Sequence, residues 1–216
     1  MHFRLVDSTN ERARGLAGRG APHGTLVTAR EQSAGRGRQG RTWSAPPGRA
    51  LLCSLVIREP PRLLPLAAGV AVAELAGDRA QVKWPNDVLI DGRKVAGILV
   101  EGRPQEGWAV LGVGINVAVR EGDLPPELRD RAGTLGRQPR ELEPLLERLL
   151  GGFERWISAS PDAVLETLRS RDALLDKHVR WAGGEGEAAG VDGDGRLVVV
   201  TVEGRVALEA GEVHLG

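Results

Sequence analysis

Two stretches of this chain concentrate the side chains that could do chemistry. Residues 35–43 set Arg36, Arg38 and Arg41 among Gly35, Gly37 and Gly40 and end on Trp43. A guanidinium meets carboxylate or phosphate through two parallel hydrogen bonds, and glycine lets a backbone come close to what it binds. That mixture suits a clamp over a small anion. Residues 82–102 add two amines, an amide and a carboxylate, Lys83, Lys94, Asn86 and Asp87, around an Asp91-Gly92 pair. Taken singly, each of these reads as a solvated charge or an Asx-type turn; taken with the arginine stretch, they supply the cations an anionic reaction needs.

The elements that must carry these groups follow from spacing. Residues 25–29 are apolar and β-branched and predict a strand running into the arginine loop. The loop also matches G-x-G-x-x-G, the dinucleotide fingerprint, which needs a helix opening out of it. Pro46-Pro47 follow instead and cannot continue one, which argues against a Rossmann site. Residues 50–57 read as a buried strand holding Cys53, and residues 63–75 as a helix. Asp91-Gly92 predicts a two-residue hairpin, a second turn falls near Glu106-Gly107, and the strands so joined form an antiparallel meander rather than a doubly wound sheet. Pro85 places a bend or an edge by Lys83. Gly97, Gly112 and Gly114 within strands predict close backbone approach.

Upstream, Ser8 with Glu11 three residues on spells a capping box for a helix over residues 9–16. Residues 120–140 read as loop and short helix, and 141–157 and 163–175 as helices packed on the sheet. From His178 onward, short valine-rich runs alternate with glycine turns, a small barrel that must lean on the rest because so few residues bury little alone.

Composition limits the function classes. Among 216 residues, 29 Lys+Arg balance 29 Asp+Glu, so no global field favours nucleic acid or anionic membrane. Cys53 is the only cysteine, which excludes an internal disulfide and a cysteine-rich metal site. The four histidines are scattered, with no metal-ligand spacing. The start shows no apolar signal region and the longest apolar stretch is too short for a bilayer, so the expectation is a cytoplasmic protein.

Asp7-Ser-Thr-Asn10, Gln32-Ser-Ala-Gly-Arg-Gly-Arg-Gln-Gly-Arg-Thr-Trp43, Lys83-Trp-Pro-Asn-Asp87, Gly92-Arg-Lys-Val-Ala-Gly-Ile-Leu-Val-Glu101 and Gly112-Val-Gly-Ile-Asn116 together resemble the biotin–protein ligases. The resemblance implies an α+β fold, a mixed and largely antiparallel sheet flanked by helices as in class II aminoacyl-tRNA synthetases. It implies a catalytic domain over residues 1–176 and an SH3-like β-barrel over 177–216. It implies two steps: biotin and ATP, with Mg2+, give biotinyl-5′-AMP, and a lysine of a biotin carboxyl carrier protein domain then takes the biotin. No tightly bound prosthetic group is expected.

By the same resemblance, Ser8, Thr9 and Gln32 hold the biotin ureido ring, with Asn10 and Gly35 beside them and the backbone at Gly97 and Leu99 closing that pocket. Arg36 and Arg38 lie between the biotin carboxylate and the phosphates, and Arg41 by the triphosphate. Lys94 touches the reacting carboxylate and α-phosphate, Lys83 offsets phosphate charge, and Arg38, Lys83 and Lys94 make up the catalytic set. Asn86 reads adenine, Trp43 covers it, and Asn116 belongs to the ATP site. Asp87 either orients Lys83 or meets the metal. Ser8 lies too near the start for the DNA-binding winged helix that some family members carry, so no DNA partner is expected; no membrane partner is expected either, and a homodimer is compatible. The alternatives are a lipoate–protein ligase and, from the basic and aromatic loop, a single-stranded nucleic-acid binder, which the neutral charge and 3% aromatic content disfavour.

Overall fold

The computed structural model describes residues 1–209 and 211–215. Its elements in chain order are β1 (His2–Phe3), α1 (Thr9–Ala17), β2 (Leu26–Ala29), β3 (Ala50–Arg58), α2 (Leu64–Ala76), β4 (Ala80–Lys83), β5 (Asp87–Ile90), β6 (Arg93–Arg103) and β7 (Trp108–Asn116). There follow α3 (Leu142–Ile157), α4 (Pro161–Ser170), β8 (His178–Trp181), β9 (Gly184–Val191), β10 (Leu197–Thr201), β11 (Gly204–Leu208) and β12 (His214–Leu215).

Strands β1 to β7 form one sheet in the order β1-β2-β3-β7-β6-β5-β4, antiparallel at every pairing except β1 with β2. This is the expected α+β architecture. The predicted hairpin turns at Asp91 (φ 50°) and Gly92 (φ 75°), the pair of positive φ values a type I′ turn demands. Strand β3 is buried along nearly its whole length because both of its faces are covered. One face carries Cys53, Leu55 and Ile57 into the main core with α2, α3 and α4. The other face packs Val56 with Val110, Val27 and Ala13 beneath α1.

Three expectations differ from the structure, and one strand is additional. The capping box does not form: Ser8 sits at the N-cap, but its side chain makes no capping bond, and the Glu11 carboxylate is drawn to Arg14 and Arg36, whose charge-assisted bonds outweigh a backbone amide. The helix expected to reach 175 stops at Ser170, because Val82 N donates to Arg171 O and Ala173 N donates to Val82 O, so the chain is captured as an extra edge on β4. Strand β1 had no signal in sequence. The C-terminal strands make a five-stranded antiparallel sheet, β11-β10-β9-β8-β12, and among the described residues it does not close into a barrel, since the two-residue β12 pairs only with β8. The main core continues into this sheet through Val179, Val191, Leu197 and Val199.

Candidate active site

The site is built on the α1 side of the sheet, where β3, β7 and β6 lie side by side. The register puts Ser54, Gly112 and Leu99 in one row and Leu52, Gly114 and Gly97 in the next. Three glycines in two adjacent rows leave a hollow that larger side chains would fill. A Cβ at Gly112 would fall inside the van der Waals shell of Asn10 Oδ1, and one at Gly114 would stand 2.5 Å from Trp43 Cε2. At Gly97 the neighbours are Trp43 Cζ3 at 3.1 Å and Lys94 Nζ at 3.2 Å. The predicted close approach is therefore to the site's own side chains, which lie flat on a glycine floor.

Above that floor the arginine stretch folds back as a small hairpin. Trp43 N donates to Gly35 O (2.9 Å) and Gly37 N to Arg41 O (2.7 Å), with the reversal at Gln39 (φ 54°) and Gly40 (φ 76°). No α-helix opens from it, in keeping with the rejected dinucleotide reading. Together floor and hairpin bound a cleft of about 130 Å³ that is open to solvent.

One end of the cleft is neutral and polar. Thr9 donates to Gln32 Oε1 through both its amide (2.7 Å) and its hydroxyl (3.0 Å). Ser54 Oγ lies 2.8 Å from Thr9 Oγ1 and 2.6 Å from Asn10 Oδ1, while Asn10 Nδ2 donates to Glu101 Oε2 (3.0 Å). Ser8, Thr9, Asn10 and Ser54 are all buried. Polar groups withdrawn from water must be bonded, and this net fixes which donors and acceptors a ligand meets.

The other end is cationic. Arg38, Arg41, Lys83 and Lys94 face it, with Asp87 among them. Arg38 Nη1 donates to Asn86 Oδ1 (3.1 Å), and Asn86 is itself locked by Nδ2 donating to Ile98 O (3.0 Å) and by Ile98 N donating to its carbonyl (2.8 Å). Lys94 Nζ lies 2.6 Å from Asp87 Oδ1 and 5.7 Å from the Trp43 ring centroid. Burial pulls the Lys83 amine below its ordinary value; Asp87 opposes this, and Lys94 and Arg41 add to it. Arg38 is lowered likewise, first by burial, with Arg41 adding and Asp87 opposing. The carboxylate thus holds several crowded cations in place at once. Glu212, from the segment before β12, pairs with Arg41 at the rim.

The cleft gathers most of the residues singled out in sequence: Ser8, Thr9, Asn10 and Gln32 at the polar end, and Arg38, Arg41, Lys83, Asn86, Asp87 and Lys94 at the cationic end, with Trp43, Gly97 and Leu99 on the floor between. Gly35 lies under the hairpin, where a Cβ would overlap Trp43 O. Arg36 reaches the rim but is tied outward to Glu11 (2.8 Å) and Glu101 (3.4 Å). Asn116 is not brought to the cleft; it is buried, and its Nδ2 donates to Gly133 O (2.9 Å). Cys53 faces the opposite core, its thiol pushed up to about 12 by burial, and supplies no nucleophile.

Sequence reasoning passed over Ser54, Glu101 and Trp84. Ser54 carried a signal, as a lone hydroxyl residue inside the apolar run of β3. Trp84 Nε1 donates to Gly195 O (3.0 Å), which fastens the C-terminal sheet beside Lys83; no local pattern announces that. Among the described residues there is no cluster of three metal-binding side chains, and no helix is long and apolar enough to cross a membrane.

Known proteins give this arrangement a context. The Biotin/lipoate A/B protein ligase family matches residues 2–117. The biotin–[acetyl-CoA-carboxylase] ligase of Paracoccus denitrificans is 33% identical, over 98% of this chain and 98% of that protein. The bifunctional ligase/repressor of Bacillus subtilis is 33% identical over 98% of this chain and 72% of its own length. Among solved structures, biotin protein ligase from Aquifex aeolicus in complex with biotin and ATP superposes with a TM-score of 0.82 at 30% identity, covering 100% of this chain and 97% of that one.

Proposed function

The chain belongs to the biotin/lipoate A/B protein ligase family, and from that premise we propose how its cleft works as a biotin–protein ligase. The enzyme activates biotin with ATP as biotinyl-5′-AMP and transfers the biotin to a lysine of a biotin carboxyl carrier protein. The observation that supports this most is the single cleft with a neutral, hydrogen-bonding end and a cationic end separated by a glycine floor.

In the first step a biotin carboxylate oxygen attacks the α-phosphorus, a P–O bond forms, the α–β bridging bond breaks and pyrophosphate leaves. Both reactants are anions, so the barrier is dominated by repulsion and by the charge on the phosphoryl oxygens. Arg38, Lys83 and Lys94 offset that charge at the end where the carboxylate and α-phosphate meet. Arg41, released from Glu212, takes the departing phosphates. The ureido ring sits on Thr9, Asn10 and Gln32, whose directions the Ser54 net has already fixed, and Ser8 faces the same end. Asn86, held rigid by Ile98, presents its amide to the adenine, and Trp43 shields it. Holding both substrates in register accounts for about 7–11 kcal/mol of barrier reduction at most. In the second step the neutral lysine amine of the carrier attacks the anhydride carbonyl, an amide forms, AMP leaves and the proton passes to solvent. No protein nucleophile is required.

Mg2+ would enter with ATP. With no cluster of three acidic or histidine ligands among the described residues, the phosphates would hold it, with Asp87 and Glu212 the carboxylates lining the cleft. We read residues 1–176 as the catalytic domain and 177–216 as an SH3-like C-terminal domain, supported by five short antiparallel strands and the bulge between Leu197 and Val199 that bends them.

The test is biotin-dependent exchange of pyrophosphate into ATP. Folded protein should exchange with biotin and not with lipoate, and Lys94→Ala or Arg38→Ala should lose most of the rate. Exchange driven by lipoate instead would move the chain to the lipoate branch of the family.

A further inference from the structure

Lys94 occupies an unusual place in the sheet. Strand β7 accompanies β6 only as far as Ala96, opposite Ile115, and then leaves at Asn116 to end beside Ala50. On its other side β6 meets β5 through a register shift, with Val88 opposite Ala96 but Leu89 opposite Lys94. Such a bulge re-aims the side chain next to it, here bending Lys94 over Gly97 toward Asp87. A bulged strand that has lost one neighbour has little to keep its backbone in place.

The gap left by β7 is filled by residues 131–135. Lys94 N donates to Arg131 O (2.7 Å), and Gly133 N donates to Lys94 O (2.8 Å), a parallel bridge centred on Ala132. This strap is anchored at the end of β7 by Asn116 and, just past it, by Val117, whose carbonyl accepts from Arg137 N (3.0 Å). Asn116 Nδ2 donates to Gly133 O (2.9 Å), its backbone carbonyl accepts from Leu135 N (2.8 Å), and Thr134 Oγ1 lies 3.3 Å from the same carbonyl and 3.2 Å from Val117 O. The strap is also close-packed on the bulge: a Cβ at Gly133 would meet Val95 Cγ1 at 3.0 Å and Arg93 Cβ at 3.1 Å.

We propose that Asn116 is a positioning residue for the adenylation step: its side-chain amide fixes the 131–135 strap, and the strap fixes the backbone of Lys94 so that the amine is held at the reacting phosphate. The effect reaches the nucleotide only through Lys94. This rests on the reading of Lys94 as a contact to the reacting groups, so the test separates the two.

Pyrophosphate exchange is measured for Asn116→Ala, Lys94→Ala and the double variant, with kcat and the KM for ATP resolved. A displacement of order 1 Å at a reacting group lowers rate by up to about 10²-fold, so Asn116→Ala should lower kcat about tenfold or more and leave the KM for ATP within about twofold. In the Lys94→Ala background the same substitution should change kcat by less than about twofold, because residues acting as one unit are not additive. Asn116→Asp, which keeps the shape but sets a carboxylate against the Gly133 carbonyl, should be no better than alanine. Gly133→Ala, which pushes the strap off the bulge and leaves both side chains in place, should reproduce the pattern if Asn116→Ala folds poorly. Equal losses with and without Lys94, or a raised KM for ATP as the main effect, would overturn the proposal while leaving the role of Lys94 intact. Wild-type kcat in Lys94→Ala would remove both.

Discussion

Gly114→Ala isolates the glycine floor. The added methyl carbon would stand 2.5 Å from Trp43 Cε2 and 2.7 Å from Trp43 Nε1, whereas non-bonded carbons rest about 3.5–4.0 Å apart. Strand β7 is buried and hydrogen-bonded on both sides, so it cannot yield. The indole must rise by about 1 Å, carrying the hairpin through the Trp43–Gly35 bond. Overpacking of this size costs about 1–3 kcal/mol, which corresponds to roughly 5- to 150-fold in the population of the closed hairpin. Because the hairpin is the part that gives way, the sheet should keep its stability: Tm should fall by no more than about 4 °C, the shift expected for about 1 kcal/mol in a chain of this length. Exchange kinetics and thermal unfolding are measured on the same sample, with two companions. Gly97→Ala meets only the Trp43 edge and the end of the flexible Lys94 side chain, at 3.1 to 3.2 Å, and should be mild. Gly112→Ala strikes Asn10 and should raise the KM for biotin rather than for ATP. Full exchange activity in Gly114→Ala, or equal effects of Gly114→Ala and Gly97→Ala, would refute the reasoning.

Two further outcomes follow from the buried charges. Asp87 raises the Lys83 amine against the lowering by burial, so Asp87→Asn should move the alkaline limb of the exchange pH profile to lower pH; an unmoved or upward-shifted limb contradicts this. Asp172 is held above its ordinary value by burial, against hydrogen bonds from the Leu174 and Leu175 amides that lower it. A carboxyl raised in the folded state favours folding while protonated and loses that contribution as pH rises through its folded value. Asp172→Asn should therefore unfold at higher temperature than the parent at pH 7, with the difference closing below about pH 4, near the carboxyl's unfolded value; a lower Tm at pH 7 would contradict it.

The sequence was most legible where one residue's geometry is decided by its immediate neighbours. Asp91-Gly92 needed nothing distant to turn, and the apolar run of β3 had to be buried on both faces wherever it lay. It was least legible where two partners compete. Ser8 and Glu11 satisfy the capping pattern, yet Glu11 goes to Arg36, 25 residues away in sequence. The helix after residue 163 has good spacing to 175, yet Val82 takes its last turn as strand. Asn116 stands in a motif that the resemblance places at the nucleotide, and its amide bonds Gly133 instead.

From its residue types alone the chain determined the chemistry available to it: dense guanidinium and ammonium charge on a neutral background, glycines inside apolar runs, a single cysteine and no metal-ligand spacing among the histidines. Those are properties of side chains and survive any folding. Only the tertiary structure decided which of them face one another. The register of β3, β7 and β6 aligns Ser54, Gly112 and Leu99 in one row, and a shift of one residue would turn each of them to the opposite face. The bulge at Lys94 and the strap at Asn116 are likewise set by pairings between segments far apart in the chain, whose free energy no short window of sequence contains.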